Sequence, residues 1–274
     1  MSSEPAEPQL TWEAKAGRPA GAAALASAIL AAASTAVQVG MIGAPPDSER
    51  EALTRFNEHE GEFFLSLGLQ AASYFLLTGA LLYLLRATMY RRPETPRFTS
   101  VLLLLAPLLL AVGGVLNQLD LNDVASEFLS GGERSESRAE DLLEDRNVVG
   151  GAIGSGGTLC LALSFVLIGL NAMRAGLLSR FMGYLGVVVG VLLVLPLLPG
   201  GQSTVQLFWV AALGLLFLGR WPGGRGPAWE TGEATPWPSA ADARAQPGGP
   251  EGGATEPESP QPVERKRSRK KRRR

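Results

Sequence analysis

The sequence predicts an all-α polytopic membrane protein, a bundle of six transmembrane helices followed by a disordered C-terminal tail. Three observations carry that prediction. Six apolar stretches, 21–42, 63–85, 98–116, 149–173, 181–198 and 203–219, contain no Asp, Glu, Lys or Arg, and a bilayer core about 30 Å thick takes roughly 20 such residues. The connectors between them segregate by charge sign. Beyond residue 219 the chain turns to Pro, Gly, Ala, Glu and Ser with no apolar periodicity, the composition of a segment without a core.

The connectors also set an orientation, because Lys and Arg next to spans are retained on the cytoplasmic side. Lys15 and Arg18 precede the first span. Arg86, Arg91, Arg92 and Arg97 follow the second, Arg174 and Arg180 lie between the fourth and fifth, and Arg220 and Arg225 follow the sixth. The alternate connectors hold most of the carboxylates, from Asp47 to Glu62 and from Asp120 to Asp145. Residues 1–20 and 220–274 are therefore expected in the cytoplasm, with the bundle in a plasma membrane.

The first span is alanine-rich. Its apolar run exceeds the roughly 7–15-residue core of a signal peptide, and its polar lead is long, so a retained helix is expected. Pro45 and Pro46 should end it. Ser48 and Glu51 then have the spacing of a capping box, which predicts a solvated helical lead-in with a narrow stripe of Ala52, Leu53 and Phe56. His59, the one histidine, sits among Glu58, Glu60 and Glu62 and is expected to be a solvated side chain.

In the second span, Gln70, Tyr74 and Thr78 recur at i, i+4 and i+8 and share one helix face. Together with Asn171 of the fourth span they form a candidate polar intramembrane face. Hydrogen bonding between helices is the plainer expectation for it, a polar cavity the sharper one. The third span is unambiguous, and the connector 117–147 after it should be partly helical. LNDVASEFL offers an amphipathic turn, Gly131 and Gly132 a break, and Ser137 with Glu140 a second capping box. Asp120 and Asp123 resemble the start of a calcium loop, but Val124 and Ala125 stand where further features are required.

The fourth span opens GGAIGSGG. Gly150 and Gly154 make a GxxxG pair there, and Gly186 and Gly190 make another in the fifth, so all four are expected to allow close helix crossings. The glycine run lacks the Gly-Lys-Ser/Thr ending of a phosphate loop. Cys160 is the single cysteine, which excludes an internal disulfide, and it is expected to be an inert buried thiol.

The tail ends in a basic run: Arg265, Lys266, Arg267, Arg269, Lys270, Lys271, Arg272, Arg273 and Arg274. Taking those nine from the 25 basic residues leaves 16 against 26 acids. Contact with anionic lipid head groups is the expected role of this run, at about 1 kcal/mol per basic residue near a charged surface. No aromatic side chain interleaves it, so stacking on nucleic acid is not expected.

The stretch 177–196, LLSRFMGYLGVVVGVLLVLP, resembles a group of bacterial six-span membrane proteins of unassigned function, in which a similar Ser-Arg-aromatic-x-Gly turn opens the corresponding helix. The resemblance implies a six-span helical bundle and supplies no catalytic residues.

Functionally, no span carries an ionisable residue, which argues against proton relays and ion-coupled transport. No nucleophile–base pair, metal-ligand set or cofactor motif is present. A non-enzymatic scaffold, regulator or accessory subunit is expected, working with itself or another membrane protein. A transporter or channel for a neutral or apolar solute is the alternative. The two differ in what a structure must contain: a carrier needs a polar mid-membrane cavity at Gln70, Tyr74 and Asn171, whereas a scaffold needs a filled bundle.

Overall fold

A computed structural model describes residues 7–43, 46–195, 201–222 and 224–237, with the side chains of 201–203 excepted. Pro45, residues 196–198 of the fifth predicted span and the basic run 265–274 lie outside the described residues. All secondary structure within them is helical. The elements are α1 (Glu7–Val37), continued by a π turn (Gln38–Ile42), then α2 (Glu49–Glu58), α3 (Glu60–Arg91), α4 (Phe98–Ser130) and α5 (Glu136–Glu144). After these come α6 (Val149–Arg174), α7 (Arg180–Val194), α8 (Gly201–Phe217) and the short α9 (Ala228–Thr231).

Four helices are long and apolar enough to cross a membrane: α1 with its π turn, α3, α4 and α6. The fifth and sixth predicted spans become shorter apolar helices. With 15 residues, α7 is only about 22 Å long at 1.5 Å per residue, less than a bilayer core. It stops before Pro196. Leu195 is extended (φ −110°, ψ 96°), the conformation that the ring of a following proline favours.

The first helix starts at Glu7, fourteen positions before the predicted span, and carries Pro19 within it. The second connector also folds differently from its expectation. α4 continues unbroken through LNDVASEFL to Ser130, and α5 is a separate helix whose N-cap is Ser135, accepting from the Arg138 N–H at 3.3 Å. Ser48 does cap α2, accepting from the Glu51 N–H at 3.2 Å, but the Glu51 carboxylate reaches back to the Asp47 N–H. Glu136 of α5 accepts from the Glu49 and Arg50 N–H groups, placing an anion at the positive end of α2.

These contacts build a small second core at the acidic end. Leu53, Phe56, Val124, Ala125, Phe128, Ala139 and Leu142 are all buried in it, so α2 is packed and not a solvated lead-in. His59 is half-buried at the α2–α3 junction, 3.7 Å from the Glu62 carboxylate. The main core runs through the bundle. α1 packs on α3 and α8, α4 on α6, and α6 on α7. Cys160 is half-buried against it.

Glycine sets the closest crossing. A Cβ on Gly113 of α4 would collide with the backbone of Gly154, and one on Gly150 of α6 would collide with the Asn117 N–H. Gly157 would meet the Leu110 nitrogen at 2.8 Å. A Cβ on Gly154 would meet only the Gly113 Cα, at 4.0 Å. On α7, Gly186 lies against the Trp209 ring, where a Cβ would sit 3.1 Å away, and Gly190 against Ala162, whose carbonyl would be 2.6 Å from it. Trp209 is fully buried and donates its indole N–H to the Met182 carbonyl at 2.8 Å.

The first part of the predicted disordered tail is folded. Residues 224–237 return to the basic end of the bundle, where Trp229 is buried and donates to the Leu177 carbonyl at 2.9 Å. The turn it sits on is closed by a Schellman pair, Leu177 N–H to Ala172 O and Gly176 N–H to Met173 O. Gly176 has φ +76° and its missing Cβ makes room for the Thr235 carbonyl. Aromatic side chains order this segment where composition alone suggested none.

Candidate functional site

Serine and glutamine make the only extended polar seam between two of the long apolar helices described. Ser27 and Ser34 on α1 face Ser73 and Ser66 on α3, each pair one heptad from the next because the two helices run antiparallel. Their hydroxyls lie 3.1 Å and 2.9 Å apart, and Ser34, Ser66 and Ser73 also donate to the carbonyl of the serine they face. The π turn at the end of α1 swings Gln38 into the same seam, where its Nε2 donates to Ser66 Oγ at 2.8 Å. A π turn inserts an extra residue per turn and often marks such a reoriented side chain.

The seam opens into a cavity of about 290 Å³ where α7 ends and α8 begins. Its wall includes Ser27, Ser34, Thr35, Gln38, Gln70, Ser73, Tyr74 and Gln206, with Leu193, Leu207 and Val210 as apolar neighbours. Leu193, near the end of α7, and Gln206, Leu207 and Val210 of α8 face the polar side chains of α1 and α3 across it. Gln70 lies within hydrogen-bonding reach of Tyr74 one turn on. The Gln206 side chain makes no hydrogen bond among the described residues.

The candidate polar face therefore divides. Gln70 and Tyr74 line the cavity. Thr78, one turn further, is buried with no hydrogen-bond partner among the described residues and does not reach it. Asn171 is elsewhere: on α6, which packs mainly against α4 and α7, it bonds the Leu167 carbonyl of its own helix at 2.8 Å and is not part of the cavity wall. Gln38, Ser27, Ser34 and Ser66 complete the site, and the heptad spacing of the two serine pairs was the available signal.

Toward the basic end the bundle is sealed. Glu13, 2% exposed, forms a bidentate ion pair with Arg91, at 2.5 Å and 2.9 Å. Arg91 also donates to the Ala228 and Ala87 carbonyls, so all five of its N–H groups are used. Tyr83 bonds the Glu13 carbonyl at 3.1 Å and stacks on Trp229, with Phe217 edge-on at 4.8 Å. Arg225 lies over the Trp229 ring, 5.5 Å from its centroid, and bonds the Leu216 and Phe217 carbonyls. In the sequence Glu13 falls in the N-terminal segment, Arg91 in the connector after the second span and Trp229 in the tail, all three expected on the cytoplasmic side.

Toward the acidic end Gln38 borders a second, larger pocket of about 700 Å³ beneath α2. Among the described residues no group of three His, Cys, Asp or Glu side chains is placed to hold a metal ion. The chemistry available to the central cavity is hydrogen bonding by hydroxyl and carboxamide groups, with no charge in its wall.

No curated protein and no solved structure matches this chain. Residues 20–221 match the model of a protein family, a domain of unknown function termed DUF4386, and Glu13 and the folded-back residues 224–237 lie outside that match. Since the match covers well over half of the chain, the chain belongs to the DUF4386 family.

Proposed function

We propose that the protein is a non-enzymatic membrane protein that admits a small neutral, hydrogen-bonding solute to the cavity between α1, α3, α7 and α8. One observation carries this reading: eight polar side chains line one cavity in helices otherwise apolar, and the Gln206 side chain there has no partner among the described residues. The Gln206 carboxamide is half-buried, and in this reading water or a solute entering the cavity supplies its partner. The absence of charge in the wall favours a neutral solute over an ion. Access runs past Gln38 to the acidic end, which in this reading faces outward, and the Glu13–Arg91–Trp229 seal closes the cytoplasmic end. A scaffold remains the competing role, and it requires a dry seam.

Cysteine labelling separates the two. In a Cys160→Ala background, Gln70→Cys and Gln206→Cys should react with a small water-soluble methanethiosulfonate added from the acidic side. Leu104→Cys, on an exposed apolar face, should stay unlabelled. Reaction only from the opposite side would reverse the orientation; no reaction at either cavity position would leave a dry, filled seam and the scaffold role.

The basic run 265–274 fits contact with anionic head groups, with the protein in a plasma membrane and both termini cytoplasmic. A peptide covering 238–274 should sediment with vesicles containing anionic lipid at low salt, and a version lacking 265–274 should remain in solution. Equal sedimentation of the two would remove that role.

A further inference from the structure

The pocket beneath α2 differs from the central cavity in size, lining and charge. Its volume of about 700 Å³ falls within the roughly 300–1,000 Å³ of small-molecule sites. The π turn of α1, α2, the first turns of α3, and residues of α4 and α5 or its C-terminal flank form the wall. Ile42, Leu53, Phe56, Phe63 and Leu143 make most of it apolar. These walls are fixed: Leu53 and Phe56 belong to the buried core of the acidic end, and the Phe56 and Phe63 rings pack with centroids 4.8 Å apart. Keeping so much apolar surface against water is unfavourable at about 25 cal/mol per Å², which favours an apolar occupant.

Charge identifies the polar end of that occupant. The acidic end carries several arginines, and most are engaged. Arg55 pairs with Glu51, Arg138 with Glu127 at 2.8 Å, and Arg134 bonds the Leu129 carbonyl at 2.7 Å. Arg146 lines the pocket, yet its guanidinium makes no hydrogen bond or ion pair among the described residues, although Glu144 and Asp145 are its neighbours in sequence. A planar guanidinium at the edge of an apolar pocket suits a carboxylate, which it can hold through two parallel hydrogen bonds. Glu49 is the one carboxylate in the wall and disfavours a head group of higher negative charge. The floor of the pocket ends at the tip of α1, where Val39 is 68% and Met41 52% exposed, so an acyl chain can enter from the membrane edge.

We propose that this pocket binds a single-chain anionic amphiphile of the fatty-acid type, its chain among Phe56, Phe63 and Leu143 and its carboxylate on Arg146. The site stands apart from the central cavity, touching it only at Gln38.

The test uses the full-length protein in zwitterionic nanodiscs, with empty discs as background and cis-parinaric acid as the fluorescent probe. Saturable binding is expected, displaced by palmitic acid at least about tenfold more effectively than by hexadecanol, the effect of one charge-assisted contact. Arg146→Gln, at a half-exposed position, should abolish that preference while leaving hexadecanol competition unchanged. Ala52→Trp, which fills the pocket from α2, should weaken both ligands about tenfold or more. Probe binding no greater than in empty discs, or the same in all three proteins, overturns the proposal. So does retention of a two-chain phospholipid in place of the fatty acid when the protein is released for native mass spectrometry. Labelling of Gln70→Cys reads the central cavity separately, so either site can fail alone.

Discussion

Glu13→Ala should be among the most damaging single substitutions in the chain, lowering stability by about 3–5 kcal/mol, the range for removing one partner of a buried ion pair. The loss arises on the side of the arginine. Arg91 is fully enclosed, and without Glu13 two of its five N–H groups point at nothing while the positive charge stays buried. The pair also links parts far apart in sequence: α1, the end of α3, and Ala228 of the returning segment. Breaking it should therefore loosen residues 224–237 before the bundle melts. Trypsin provides the readout, because Arg225 is held on the Leu216 and Phe217 carbonyls and should be cleaved faster once the segment lifts. Arg91→Lys should give an intermediate loss, since an ammonium keeps the charge but cannot reach Glu13 and Ala228 together through a fork. Glu13→Leu combined with Arg91→Leu should recover part of the loss, because two apolar side chains avoid the unpaired charge. A Glu13→Ala protein with an unchanged melting temperature in detergent and unchanged cleavage at Arg225 would show that the pair holds nothing in place.

The same residues show where the sequence was transparent and where it was not. Long apolar runs identify α1, α3, α4 and α6 because membrane-spanning helices are constrained by length and polarity alone. Tyr74 and Gln70 were found on one face because i, i+4 spacing fixes relative direction within a helix. Asn171 was grouped with them wrongly, since spacing within one helix says nothing about which neighbour another helix turns toward. Ser27 and Ser34 on one helix, and Ser66 and Ser73 on another, repeat at the same interval, so this seam was legible in principle. Glu13 and Arg91 were not. Each sits in a stretch that looks solvated, and the partner that buries it is 78 positions away. Trp221, Trp229 and Trp237 dot a Pro- and Gly-rich segment whose average composition hides them, and Trp229 folds only because the Leu177 carbonyl and the Tyr83 ring are waiting for it. α7 ends at Val194, two residues before Pro196, whereas α1 and α4 run through Pro19 and Pro107, so neither a hydropathy run nor a proline alone gives the helix end.

Gly150→Ala should cost about 1–3 kcal/mol, the range for overpacking a well-filled site, and Gly154→Ala almost nothing, although the two form one GxxxG pair. The difference lies in what a methyl group meets. At Gly150 it meets the backbone of Leu116 and Asn117, which cannot rotate aside, so α4 and α6 have to separate. At Gly154 the nearest atom is the Gly113 Cα at 4.0 Å, an ordinary contact, and alanine gains back up to about 1 kcal/mol in helix propensity. The close approach at that level is made by Gly113 of the partner helix, whose own Cβ would strike the Gly154 nitrogen, so Gly113→Ala should behave like Gly150→Ala. Gly151→Ala, where nothing lies within 4 Å, is the matched control on the same helix. Melting of the four variants in one detergent gives the comparison. Equal losses at Gly150 and Gly154 would mean that α6 meets α4 through its whole GxxxG face. Losses at Gly150 and Gly113 alone place the crossing where one glycine from each helix lets the other backbone pass.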